Sequence, residues 1–140
     1  MNTKSILLLL IFIFSFTLTT GGCDKDEYSP PSDPTKAILG KWELIEVGNE
    51  NFMSPYKDNR YIEYLPDSIL GWYYYETKEY IISDIKYWID DSLLHEKQIR
   101  EDGYEIITNY TYKFYEDKMR LNYADGILAI YTSFTYQRLK

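Results

Sequence analysis

Residues 37–140 predict an all-β domain, an eight-stranded up-and-down antiparallel barrel, with a β-sandwich as the alternative architecture. Three observations carry this expectation. Apolar residues alternate with polar ones along most segments, where a helix would repeat them at every third and fourth position. Turn-forming residues interrupt the chain about every 8–12 positions, the spacing of a β-meander. The chain also holds 16 Tyr, all beyond residue 22, and Tyr favours strands and tolerates half-burial.

In order, the expected strands are 40–47, 59–65, 68–75, 79–89, 92–99, 104–115, 118–123 and 127–139. Ala37-Ile38-Leu39 reads as a short helical turn before them. Pro66-Asp67, Glu76-Thr77-Lys78, Asp90-Asp91-Ser92, Asp102-Gly103, Glu116-Asp117 and Asp125-Gly126 supply the turns. Gly, Asp and Asn provide the positive φ and local hydrogen bonds that tight connections need. Period-two phasing assigns faces. Ile81, Ile85, Tyr87 and Ile89 share one, as do Ile106, Thr108, Tyr110, Tyr112 and Phe114. So do Met119, Leu121 and Tyr123, and, in the last strand, Leu128, Ile130, Phe134, Tyr136 and Arg138. One apolar face per strand suits a sheet closed on itself, which removes exposed edges. An interior of this size is either filled by side chains or holds one small ligand.

The length suits one domain. The net charge is −7, and with Lys4 set aside 14 basic and 22 acidic side chains remain, a balance of −8 for residues 23–140. An acidic domain without a basic stripe argues against nucleic-acid binding. Residues 1–22 read as a signal peptide: Lys4, an apolar run from Ile6 to Leu18, then Thr19-Thr20-Gly21-Gly22. The run is short for a membrane span. Cys23 follows and is the single Cys, so no intramolecular disulfide forms. The arrangement resembles a bacterial lipoprotein signal, which implies cleavage before Cys23 and lipidation of its thiol and amine. One departure is Thr20 at the position where a bulky apolar residue is usual, with Leu18 two residues earlier. Acyl chains on Cys23 would hold the protein on a membrane without a spanning helix. Lys25-Asp26-Glu27 resembles the surface-export signal of Bacteroidetes lipoproteins, placing the protein at the outer membrane and on the cell surface. The alternative is a solvated acidic linker. Residues 23–36, with Pro30, Pro31 and Pro34, read as a stiff extended tether.

Gly40-x-Trp42 opens the first strand, and Tyr136-Gln137-Arg138-Leu139 closes the last. Between them lie two strand–turn segments, Tyr61-Ile62-Glu63-Tyr64-Leu65-Pro66-Asp67 and one running from Tyr112 to Leu121. Together these resemble the lipocalin-like (calycin) barrels, in particular the small lipocalin-like lipoproteins of Bacteroidetes, over residues 38–139. The resemblance implies that Arg138 packs over Trp42. It makes Gly40, Trp42 and Arg138 a structural signature.

No catalytic constellation is legible. His95 is the single His and reads as a surface or rim residue. The acidic pairs Asp90-Asp91, Glu101-Asp102 and Glu116-Asp117 coincide with turns and lack calcium-loop spacing. Neither an enzyme nor a bound metal or cofactor is expected. Strand direction puts loop 48–58, with Phe52 and Tyr56, over an open rim, as a lid or as a plug for the core below. The same reasoning puts Tyr75, Tyr80, Tyr104 and Tyr123 near that mouth. These six are the expected contacts for a small apolar or amphipathic ligand. The alternative is a filled barrel that binds a protein or glycan, hydrolase inhibition included, through its rim and outer face. In Trp72-Tyr73-Tyr74-Tyr75 alternation turns two of the four rings outward, where they would form such a platform; the simpler reading is ordinary strand residues.

Overall fold

The strand from Gly40 to Asn49 (β1) is the seam on which the sheet closes. The computed structural model describes residues 30–126 and 129–140. Cys23, the signal peptide and Lys25-Asp26-Glu27 lie outside the described residues, as does Leu128. After β1 come β2 (Phe52–Pro55), β3 (Arg60–Tyr64), β4 (Ile69–Tyr74), β5 (Glu79–Ile89), β6 (Leu93–Ile99), β7 (Glu105–Phe114), β8 (Lys118–Tyr123) and β9 (Ser133–Arg138). All neighbours are antiparallel, and β1 pairs with β9 to close the sheet into a ring.

The expected all-β, antiparallel, self-closing sheet is therefore present, with nine strands among the described residues in place of eight. The additional strand, β2, lies inside the expected loop 48–58. Asn49 caps the turn by accepting hydrogen bonds from the Asn51 and Phe52 amides, and β2 then pairs with the end of β1. The start of β1 pairs with β3 instead. The last strand begins at Ser133, later than expected, and Ile130 is 91% exposed, so it does not share the inner face with Phe134 and Tyr136. A bulge between Leu44 and Glu46 resets β1, so that Leu44 and Val47 both face inward.

The helical turn comes earlier than residues 37–39. Asp33 accepts from the Thr35 and Lys36 amides at the start of α1 (Pro34–Ala37), with Pro34 at a position where its missing N–H is harmless. Residues 34–36 thus belong to the folded part and not to an extended tether. Ile38, fully buried, follows α1 and seals one end of the ring.

At that end Trp42 donates its indole N–H to the Ile38 carbonyl at 2.7 Å. Arg138 is the direct cross-strand partner of Trp42, and its guanidinium lies 4.2 Å from the indole centre. It also donates to the carbonyls of Leu39, at 2.7 Å, and Ala37. The expected Trp42–Arg138 contact is there, and it fastens the chain entering the sheet to the chain leaving it. Gly40 takes φ +112°, and a Cβ there would sit 3.2 Å from the Arg138 Nη1, so both conformation and space favour Gly. Trp42, Tyr64, Leu70, Tyr87, Leu94, Phe114, Met119 and Leu121 pack with Ile38 into one buried cluster.

Candidate functional site: an aromatic cavity inside the ring

Above this packed cluster the ring is hollow. A cavity of about 260 Å³ is lined by inward-facing side chains of β1, β3, β4, β5, β6, β7, β8 and β9. Its aromatic walls are Trp42, Trp72, Tyr110, Tyr123, Phe134 and Tyr136. Tyr110 and Tyr123 stack at 5.1 Å, and Phe134 meets Tyr123 edge-on at 5.5 Å. Aromatic pairs in these geometries contribute about 0.5–1.5 kcal/mol beyond their area burial.

Two charged groupings face this space. On the β3 side, Arg60 lies 4.6 Å from the Trp72 ring and 3.8 Å from the Asp58 carboxylate, and it donates to the Tyr74 hydroxyl at 3.2 Å. The Asp58 carboxylate is the charge paired with it among the described residues, and the Trp72 ring covers one face. On the β6 side stands Glu96. Its carboxylate accepts from the Tyr64 hydroxyl at 2.9 Å and is also hydrogen-bonded by Tyr110. Among the described residues no cation forms a salt bridge with it. Burial pushes the Glu96 carboxyl upward, more than the two tyrosine hydrogen bonds pull it down. Burial and the Glu96 charge together push Tyr64 and Tyr110 well above the usual phenol range.

Of the six residues expected to contact a ligand, Tyr123 alone lines the cavity. The others are corrections. Phe52 begins β2 and is 71% exposed, and Tyr56, just after β2, is also exposed. Neither covers the cavity, because pairing with β1 takes this segment out of any lid. Tyr75 and Tyr80 are on the outer face, donating to Glu43 at 2.7 Å and to Glu63 at 2.9 Å. Parity is the reason: Trp72 faces inward, so Tyr73 and Tyr75 face outward, and Tyr80 is the cross-strand partner of Tyr73. Tyr104 sits in the turn before β7 and is 64% exposed.

Asp58, Arg60, Trp72 and Glu96 were not among the expected contacts. A signal for two of them was available. Arg60 is in phase with Ile62 and Tyr64, and Glu96 with Leu94, so each is a charge on an otherwise apolar face.

The outer wall carries its own cluster. Tyr61 stacks on Tyr73 at 5.1 Å, Tyr75 meets both edge-on, and Lys41 lies 5.5 Å from the Tyr61 ring. Two of the four rings in residues 72–75 do face outward. Gly71 makes room for this surface, since a Cβ there would lie 2.1 Å from the Tyr80 hydroxyl.

His95 belongs to neither site. It stacks on Trp88 at 4.7 Å, and its ring nitrogens meet Asn109 Oδ1 at 2.7 Å and Asp90 Oδ2 at 3.1 Å. The described residues contain no group of three or more His, Cys, Asp or Glu arranged to hold a metal ion. No helix among them is long and apolar enough to cross a membrane. Compared with protein-family models the chain matches none, and no curated protein matches it either.

Proposed function

We propose that this protein is a lipid-anchored, surface-exposed lipoprotein of the outer membrane whose lipocalin-like barrel binds a small apolar or amphipathic ligand. The observation that carries the binding role is the aromatic cavity with buried polar groups turned into it. Its volume of about 260 Å³ is just under the range typical of small-molecule sites. The ligand is therefore compact, with one polar end, and is smaller than a long-chain lipid. The anchor rests on Cys23 directly after the apolar run and small-residue segment. Cys23→Ser should abolish acyl-chain labelling and release the protein from membranes; retained labelling would refute the anchor. For the cavity, tryptophan fluorescence should change saturably with compact amphipathic probes, because Trp42 and Trp72 line the site. Leu44→Trp should fill the space and abolish that response in a protein that still folds. An undiminished response would move binding elsewhere.

A second reading has an observation of its own. The Tyr61–Tyr73–Tyr75 cluster, rimmed by Lys41, Glu43 and Glu63, is a platform of stacked rings and polar groups suited to a glycan or protein partner, including a hydrolase to be inhibited. Tyr61→Ala and Tyr73→Ala would weaken such binding without affecting the cavity response.

A further inference from the structure

Glu96 is unusual in this molecule. It is half-buried and lines the cavity. Its partners are the hydroxyls of Tyr64 and Tyr110, which donate hydrogen bonds and carry no charge. The other charged residues lining the cavity are Asp58 and Arg60, which offset each other. The hollow therefore holds one uncompensated carboxylate. Around it are six aromatic rings, whose negative faces attract cations. Charges held away from water are normally paired, and among the described residues no cation forms a salt bridge with this one.

We infer that the cavity binds a small organic cation, an amine on an apolar body about the size of one aromatic ring, with Glu96 as its counter-ion. This deepens the ligand-binding reading and rests on it. The ammonium would lie against the Glu96 carboxylate with ring faces beside it, and the apolar body would fill the space toward Leu44 and Phe134. Arg60 already has a carboxylate, a hydroxyl and a ring face beside it, which weakens its pull on an anionic ligand. Burial raises the carboxyl's affinity for a proton, and an ammonium beside it would lower that affinity again.

Three probes of one shape separate the charge from the shape. They are phenethylamine, 2-phenylethanol and 3-phenylpropionate, each titrated into the full chain at pH 7.5 and read by tryptophan fluorescence. The amine should bind at least tenfold more tightly than the alcohol, and the acid more weakly than either. Glu96→Gln should remove the amine's advantage, bringing the amine-to-alcohol affinity ratio down to about one. In the unaltered protein, lowering the pH below the Glu96 value should remove the amine's advantage, which provides a test independent of any variant's folding. If the alcohol or the acid binds as well as the amine, the cation assignment is overturned while the cavity remains a ligand site. If none of the three binds saturably to folded protein, both readings are overturned together.

Discussion

Arg138 and Glu96 stand in opposite halves of the same ring and are treated in opposite ways. Arg138, at the sealed end, is surrounded by carbonyl acceptors and an indole face, in contact with a fully packed cluster. Its charge closes the chain. Glu96, at the hollow end, receives hydrogen bonds from hydroxyls and faces open volume, with no cation beside it among the described residues. A buried ion pair or a charge with several strong hydrogen bonds can be retained for architecture alone, whereas a lone buried carboxylate weakens the fold. The two ends thus differ: one is closed by packing and hydrogen bonds, and the other leaves open volume beside a carboxylate that no cation pairs among the described residues.

The largest effects should come from the sealed end. Trp42→Ala removes a buried indole and should destabilise the protein by about 3–5 kcal/mol. Arg138→Ala should cost less, about 2–3 kcal/mol, chiefly by leaving the Leu39 and Ala37 carbonyls unpartnered. Denaturant titration of the double variant should show coupling between the two. Strictly additive losses would mean that the seam is not held by this pair. Met119→Ala, in the packed cluster, should cost about 2–5 kcal/mol. Tyr123→Ala at the cavity wall should cost less than Met119→Ala, because its surroundings are already hollow. Equal losses would erase the distinction between the two ends.

A smaller effect belongs to His95, on the outer wall. Asn109 donates its amide N–H to Asp125 at 2.9 Å, so it presents its oxygen to the His95 ring, and Asp90 presents a carboxylate to the other nitrogen. Burial lowers the His95 pKa, but these two acceptors outweigh it and the net shift is upward. Asp90 is drawn down to about 2, chiefly by the Leu93 and Ser92 amides and then by His95. A raised folded-state pKa means that the His95 contribution is complete below its unfolded value near 6.5 and is lost as pH rises through the folded value. The loss should be the size of an exposed ion pair, about 0.2–1 kcal/mol. Thermal melts at pH 5.5 and 8.5 should show it in the parent protein and not in His95→Gln. A pH dependence unchanged by His95→Gln would assign it to other groups.

Much of the ring was legible in the sequence, because alternation and turn chemistry act locally. The inward faces of β7 and β8 follow from a period of two, whereas the Trp42–Arg138 contact was expected from the resemblance of the two chain ends to lipocalin-like barrels. The β1–β2 hairpin was not legible, since Phe52-Met53-Ser54-Pro55 has no clear alternation and gains its strand character from pairing with β1. The candidate site was legible only in part. Strand ends reveal which residues are near a rim but not which side they face, and one step of parity sent Tyr75 and Tyr80 outward. Tyr123 lines the cavity because it continues the Met119–Leu121 face. Glu96 could have been found from its phase with Leu94, but a single acid in a polar-rich strand reads equally well as solvated.

The most direct measurement is the stability of Glu96→Gln against the parent chain by denaturant titration at pH 8. The raised Glu96 pKa means that the contribution of Glu96 to stability is complete below its unfolded value near 4.5 and is lost as pH climbs through the folded one. Replacing the uncompensated carboxylate with a neutral amide should therefore stabilise the ligand-free protein at pH 8 by about 1–3 kcal/mol. The difference should shrink toward zero below pH 4.5. A Glu96→Gln protein that is less stable than the parent at pH 8 would show that the carboxylate serves the fold, and would contradict the division between a structural end and an end kept open for a ligand.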